Sequence, residues 1–549
     1  MRNRAFKPCS PGEASRRRPV KPAANRKGQP GPDFIPPLSV ARGAWGCKRG
    51  SLDERRLRFK IVAQLLYLLS LLERISGPIM TQSTSRRSFL KVAGAVSAGF
   101  AGLRLATSGK NQVAAEGFAS LRYGPLKKDP QGVIDLPEGF SYRVMSKAGE
   151  RMDDGLFVPG MHDGMAAFPG PDGKTILVRN HECGLSPARD GAFGWNLELL
   201  HGFGRSKFYD RAFGGMPPLG GTTTLVYDTS TKKLERHFLS LAGTLRNCAG
   251  GPTPWGTWIS CEETEDRANR NLEHDHGYNF EVPASSEIGL TQPVPLRAMG
   301  RFRHEAVAVD PFSGIVYETE DREDGLIYRF IPKQPGHLVE GGKLQALAIR
   351  GQSGADTRNW LAEGPDAAVT GLILPGTVFD VAWIDLDEVD APNSDLRFRG
   401  HRSGAARFAR GEGMWYGNDS IYFACTNGGQ KKLGQIWRYV PSPFEGTDQE
   451  DRQPGRLELF IESNDVSLIE MCDNLTVAPW GDVILSEDGQ PDQYIVGVTS
   501  SGRIYQLARN SINGSEFAGV VMSPDGSTLF ANIQNPGVTL AIDGPWRQS

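Results

Sequence analysis

The chain has 549 residues, with 66 glycines and 37 prolines against 39% hydrophobic residues, a balance that fits a turn-rich all-β protein and argues against a mainly helical one. Its formal net charge of −1 conceals an asymmetry: residues 1–115 hold 22 Lys and Arg against 5 Asp and Glu, whereas residues 116–549 hold 40 against 58, a net of −18. An acidic body of that kind excludes nucleic acid as a partner and suits an exported, calcium-binding protein. The length allows several ordinary domains or one large repeat-built domain.

In chain order, residues 1–79 are rich in proline and arginine and read as a disordered or over-extended tail. Ile61 to Leu72 is apolar but too short to span a membrane. Met80 is the expected start. Ser85-Arg86-Arg87-Ser88-Phe89-Leu90-Lys91 then precedes the modest apolar run Val92 to Ala106, the address of the twin-arginine translocase. Residues 80–115 are therefore read as a twin-arginine signal peptide cleaved after Ala115, and residues 116–549 as one domain, periplasmic or secreted. That route carries folded proteins and favours one whose cofactor is inserted before export. Five of the seven cysteines fall in the mature part and none forms a CxxC pair, so a zinc ribbon is unsupported and at least one thiol stays unpaired within a monomer.

From Tyr142 onward short apolar runs alternate with Gly, Pro, Asp and Asn turns. Six units share one order of turn, strand and polar or acidic end. Pro171-Asp172-Gly173 leads to Asn180-His181-Glu182, and Pro254-Trp255-Gly256 leads to Glu262-Glu263. Asp310-Pro311 leads to Glu320-Asp321, and Gly417-Asn418-Asp419 leads to Thr426-Asn427. Pro479-Trp480-Gly481 leads to Glu487-Asp488, and Pro524-Asp525-Gly526 leads to Asn532 and Asn535. Partner strands such as 221–227, 326–331, 435–439 and 503–507 lie between them. This pattern predicts a six-bladed β-propeller, with inter-blade insertions at 196–218, 269–295, 341–375 and 385–404. A two-sheet sandwich would explain the strands but not the repeated acidic endings.

If the acidic strand ends line the central channel, carboxylates from separate blades converge there. Hard cations take six to eight oxygens, and such a ring supplies them. The candidates are Glu182, Glu263, Glu305, Asp321, Glu412, Asp473, Glu487 and Asp488, with Asn180 and Asn247 as neutral oxygen donors. Cys248, followed by Ala249-Gly250-Gly251, would add a thiolate and select a softer transition metal, most plausibly iron; spacing alone equally allows a small buried hydrophobe. His181 and His304 adjoin acidic residues and are expected to orient neighbours, while Trp255 and Trp258 read as strand and core residues. Arg410, two residues before Glu412 on an extended strand, projects to the same side and can fork onto a phosphate oxygen. A surface ion pair is the plainer reading of that motif.

Taken together, these runs resemble the PhoX family of alkaline phosphatases. The matching segments are Asn180–Glu182, Asn247–Glu263, Arg303–Pro311, Tyr317–Asp321, Arg410–Trp415 and Asp473–Gly489, with the twin-arginine leader. The resemblance implies a six-bladed propeller holding an iron and calcium (Fe3+, Ca2+) cluster, with Cys248 bridging the irons and Glu305 and Glu412 beside them. It places Glu182, Glu263, Asp321, Asp473, Glu487 and Asp488 on calcium or in part on iron, without dividing them, Arg410 on the phosphate, and phosphomonoester hydrolysis as the reaction. Gly411 stands where the family tends to have proline, which is expected to loosen the backbone at Arg410, and the mature chain is shorter than the best-known members, as on a divergent branch. A calcium-stabilised propeller that binds without turnover, or a propeller hydrolase of a lactone or phosphodiester, would share the acidic channel.

Overall fold

The structure is a computed structural model that describes residues 122–361 and 372–546. The tail, the twin-arginine leader and the central part of the 341–375 insertion lie outside the described residues. Apart from one short helix, Leu396–Arg402, and a few single turns of 3-10 helix, the described chain is strands and loops. Among the described residues no helix is long and apolar enough to cross a membrane.

The strands pair antiparallel in a propeller-like arrangement of five sheets. Strands 162–169, 175–181, 220–228 and 233–244 form one meander. Strands 247–252, 257–262 and 279–283 form a three-stranded sheet. A nine-stranded sheet joins two further meanders, 304–349 and 411–462, through the strand Val378–Asp385, which pairs with both. The meander 472–510 is extended at its outer edge by Ile134–Pro137 and Leu126–Lys127. The last sheet takes three strands from late in the chain, 517–522, 528–533 and 538–543, and its fourth, Ser141–Lys147, from far earlier in it.

The first strand of each meander faces the centre, and these first strands pack side by side in the order His162–Pro169, Asn247–Pro252, His304–Val309, Gly411–Gly417, Cys472–Val477, Phe517–Met522 and back to the first. The turn–strand–acid units read from the sequence are thus the second strands, not the channel-lining ones. They run antiparallel to the first strands, so their C-terminal ends return to the end of the channel where the first strands begin. That is why acidic residues on second strands still reach the centre.

Sheets pack face to face, so strands such as Thr175–His181 and Thr528–Ile533 are buried along their whole length, with short apolar runs flanked by polar residues that are buried too. Aromatic side chains fill the space between sheets, with Phe408, Phe423 and Trp437 in one core cluster and Tyr227 edge-on to Phe530 at 5.2 Å in another. Towards the axis there is little room. Gly164, Ala249, Ala306, Gly413 and Gly519 line the centre, and Trp415 packs against three separate core clusters there. A Cβ on Gly413 would lie 2.6 Å from the Leu475 amide nitrogen and 2.7 Å from the Asn474 Cα, both rigid backbone. Gly413→Ala is therefore expected to cost about 1–3 kcal/mol, the range of an overpacked core, and to lower the thermal midpoint. An unchanged midpoint would mean that the inner strands are not in backbone contact.

Candidate metal centre

Each first strand carries a β-bulge close to its start. Pairing skips two residues between His162 and Met165, Asn247 and Gly250, His304 and Val307, Gly411 and Met414, and Cys472 and Leu475. The last strand has the same shift between Ala518 and Val521. A bulge sets two residues against one and re-aims a side chain that regular alternation would bury in the sheet. The residue at the head of the first five bulges is Asp163, Cys248, Glu305, Glu412 or Asp473, and all five are buried.

A second set of residues meets these from the neighbouring strand. Just past the second strands stand Glu182, Glu263, Asp321, Thr426, Asp488 and Gln534. Each donates its backbone N–H to the carbonyl of the residue that leads into the first strand: Glu182 to Met161 (2.9 Å), Glu263 to Arg246 (2.9 Å), Asp321 to Arg303 (3.2 Å), Thr426 to Arg410 (3.0 Å), Asp488 to Met471 (2.8 Å) and Gln534 to Glu516 (3.2 Å). Met161, Arg246, Arg410 and Met471 hold left-handed φ of 46–54°, a conformation that non-glycine residues keep only where the surroundings enforce it.

Ligand atoms of Cys248, Glu263 and Glu305 lie within 4.8 Å of one another, and so do those of Glu305, Glu412 and Asp473. Glu305 belongs to both groups, which suits two adjacent cations sharing one carboxylate. The Cys248 thiol donates to the His304 carbonyl at 3.3 Å. Burial pushes its pKa well above the usual thiol value, and Glu305 and Asp163 add to the rise. Burial, then Asp473 and Asp163, likewise raise Glu305, while burial, then Glu305 and Asp321, raise Glu412. Burial moves Asp473 to about 6 and Glu182 to about 7. Carboxyl groups buried this close together ionise together only when a cation neutralises them. The donor set, one sulfur among carboxylate oxygens, fits a transition metal beside hard cations.

Arg410 donates to Asp321 at 2.8 and 3.2 Å and to Glu412 at 2.8 Å. Burial opposes its charge, but Glu412 and Asp321 more than compensate and hold it protonated. Gly411 does not leave this backbone loose. Arg410 donates its N–H to Arg322 and accepts from Thr426, so both of its peptide groups are tied.

Three acidic pairs split, because consecutive residues of a strand point to opposite faces. Glu263, Asp321 and Asp488 face the centre; their predecessors do not. Glu262 accepts from the backbone of Leu245 and Gly277 and from the His276 side chain. Glu320 accepts from the Tyr328 hydroxyl at 2.7 Å. Glu487, expected among the ligands, accepts from the Glu470 backbone at 2.8 Å and borders an outer pocket with Glu470 and Asp492. The Asn180 amide is spent on the carbonyls of Cys248 and Ala249 and on Trp258 and Ser260, and Asn247 bonds Thr244 and Ser260. Neither is free as an oxygen donor. His181 bonds Gly160 and Thr223, and His304 contacts Glu318 at 3.1 Å. All five cysteines of the described residues are buried and unpaired.

Two acidic residues of the ring were not expected. Gln534 bridges Asp163 and Glu182 at 3.1 Å each, and burial, then Asp473 and Asp488, raise Glu516 well above the usual carboxyl value. Asp163 has no acidic neighbour in sequence. The signal that would have found it is its place ahead of the turn at Pro171, as Cys248 precedes Pro254 and Asp473 precedes Pro479.

The sequence profile of the family described as alkaline phosphatase PhoX matches residues 121–196 and 218–537. The chain belongs to this family. PhoX alkaline phosphatases are phosphoric monoester hydrolases, and the chain is an enzyme of that class. No curated protein sequence matches it. Among solved structures, PhoX of Pseudomonas fluorescens in complex with vanadate, a transition state analogue, superposes with a TM-score of 0.55 at 17% identity, over 78% of this chain and 98% of that one. A gluconolactonase from Xanthomonas campestris aligns at 11% identity with a TM-score of 0.36, over 77% of this chain and 98% of the other.

The raised carboxyl groups give the metal-free protein a pH signature. Unfolded Asp and Glu titrate near about 4, whereas folded Asp473 and Glu182 titrate at about 6 and about 7. Between these values the folded chain holds more protons, so its stability falls as pH rises. Chelated protein should melt at progressively lower temperature from about pH 5 to about pH 8. Restoring metal should raise the midpoint most at the alkaline end. Glu320 and Glu487, raised by burial to about 7 and about 8 away from the ring, should leave a residual slope. A midpoint that climbs with pH in the chelated protein would contradict the clustering.

Proposed function

We propose that this PhoX-family protein is a periplasmic or secreted, metal-dependent phosphomonoesterase that releases phosphate from small organic esters. It acts as a monomer, built as a six-bladed propeller, and leaves the cytoplasm through the twin-arginine translocase. The observation that carries the reading is the pair of ligand groups sharing Glu305, one of them containing Cys248. Six bulged first strands in a closed ring support the blade count.

Cys248, Glu263, Glu305, Glu412 and Asp473 would hold iron, and Asp163, Glu182, Asp321, Asp488 and Glu516 would hold calcium. Such cations draw charge from phosphoryl oxygens and activate an oxygen nucleophile. The protein's own part is positioning. Arg410 offers a planar fork matched to two phosphate oxygens. Asp321 and Glu412 keep that fork charged and aimed before substrate arrives, so little ordering entropy remains to be lost on binding. Small residues and Trp415 close the axis behind the ring, so substrate enters from the end where the first strands begin.

Metal-loaded enzyme should hydrolyse an aryl phosphate at alkaline pH and lose that activity on chelation. Arg410→Ala should lower kcat/KM by about 100-fold or more, the scale of a lost transition-state contact. Cys248→Ala should remove iron, by elemental analysis, together with activity. Full activity in the Cys248 variant would overturn the iron-centred reading. Calcium without iron, and no turnover, would leave a binding propeller.

A further inference from the structure

Of the residues that lead into the six first strands, three are arginines, and they fall on consecutive strands: Arg246, Arg303 and Arg410. Two of them are engaged by carboxylates. Arg303 pairs with Glu263 and lies 3.7 Å from Asp321, and Arg410 is forked between Asp321 and Glu412. Arg246 differs. It is exposed, and among the described residues its side chain makes no ion pair or hydrogen bond.

Its backbone is nonetheless fixed. Arg246 has φ of 51°, donates its N–H to Cys183 at 3.0 Å and accepts from Glu263 at 2.9 Å. A guanidinium on a pinned left-handed residue starts from one direction and retains only its side-chain torsions. The two backbone bonds set Arg246 between Cys183, the neighbour of Glu182, and Glu263, at the same lead position that Arg303 and Arg410 hold on their own strands. Arg410 pairs instead with Asp321 and Glu412. The two arginines are separated around the ring by the strand that carries Arg303. They therefore address different parts of a bound molecule.

We propose that Arg246 is a specificity residue that binds a second phosphate group on the substrate, apart from the ester held at Arg410. The favoured substrate class is then a bisphosphorylated small molecule rather than a neutral aryl or alkyl ester. This rests on the phosphatase reading given above. The chemistry is that of a planar fork on phosphate oxygens, which lysine replaces only as a point charge.

The test compares a sugar bisphosphate with an aryl phosphate in metal-loaded wild type, Arg246→Ala and Arg246→Lys. Arg246→Ala should raise KM for the bisphosphate about 10-fold, the scale of one lost charge-assisted contact. KM for the aryl phosphate should rise several-fold less, and kcat for both should change little. Arg246→Lys should recover part of the loss. Equal rises on both substrates would place Arg246 on the reacting phosphate, and no rise on either would remove it from the site; each overturns the proposal. Calorimetric titration with a propane diphosphonate and with propylphosphonate, neither of which can be hydrolysed, separates this from failure of the phosphatase reading. Wild type should bind the diphosphonate more tightly, and Arg246→Ala should abolish the difference. If wild type turns over neither ester yet shows that difference, the phosphatase reading falls and the Arg246 site stands. If it shows no difference, the Arg246 site falls.

Discussion

Everything about this molecule depends on holding like charges together. Asp163, Glu263, Glu305, Asp321, Glu412 and Asp473 are all buried, and most of them meet at one end of one channel. Left to themselves Glu305 and Glu412 keep protons, as their raised pKa values record. Arg303 and Arg410 at the rim pair with part of the ring, and cations would relieve the rest. A site that is poor without metal and good with it binds metal tightly, because the free energy released on binding includes the repulsion removed.

Such a ring persists only on a backbone that cannot relax away from it. The six N–H···O bonds from second-strand ends to first-strand leads are that restraint, and the bulges set the aim of each ligand. The glycine and alanine positions on the inner strands let the backbones approach each other, so outward movement of one ligand would drag its neighbours. Rigidity here serves chemistry: ligand atoms held in advance lose less entropy when the cation arrives.

Much of this was legible in the sequence, for a reason that also explains the errors. The turn-and-acid pattern around Glu262-Glu263, Glu320-Asp321 and Glu487-Asp488 announced repeated strands ending at one place, and Cys248, Glu305, Glu412 and Asp473 stood in motifs distinctive enough to single out. A doublet does not say which member faces the centre. That is decided by where pairing begins, which turns Glu487 away from the centre. Asp163 escaped because its role comes from a bulge, which is a property of two strands in register. Asn180 has the composition of a ligand, but its hydrogen bonds go to groups far away in sequence.

The strand Ser141–Lys147 completes the sheet formed by residues 517–543, with Lys147 opposite Val538 and Ser141 opposite Asp543. This clasp joins an early strand of the domain to a distant later one, so the ring stays open until residues 517–543 have been made. Closing it incurs the loop entropy of almost the whole domain in one step, and folds dominated by such distant pairings form slowly. The acidic ring spans the same interval, from Asp163 to Glu516. A growing chain therefore presents only fragments of the acidic ring, and the full convergence of charge belongs to the closed one.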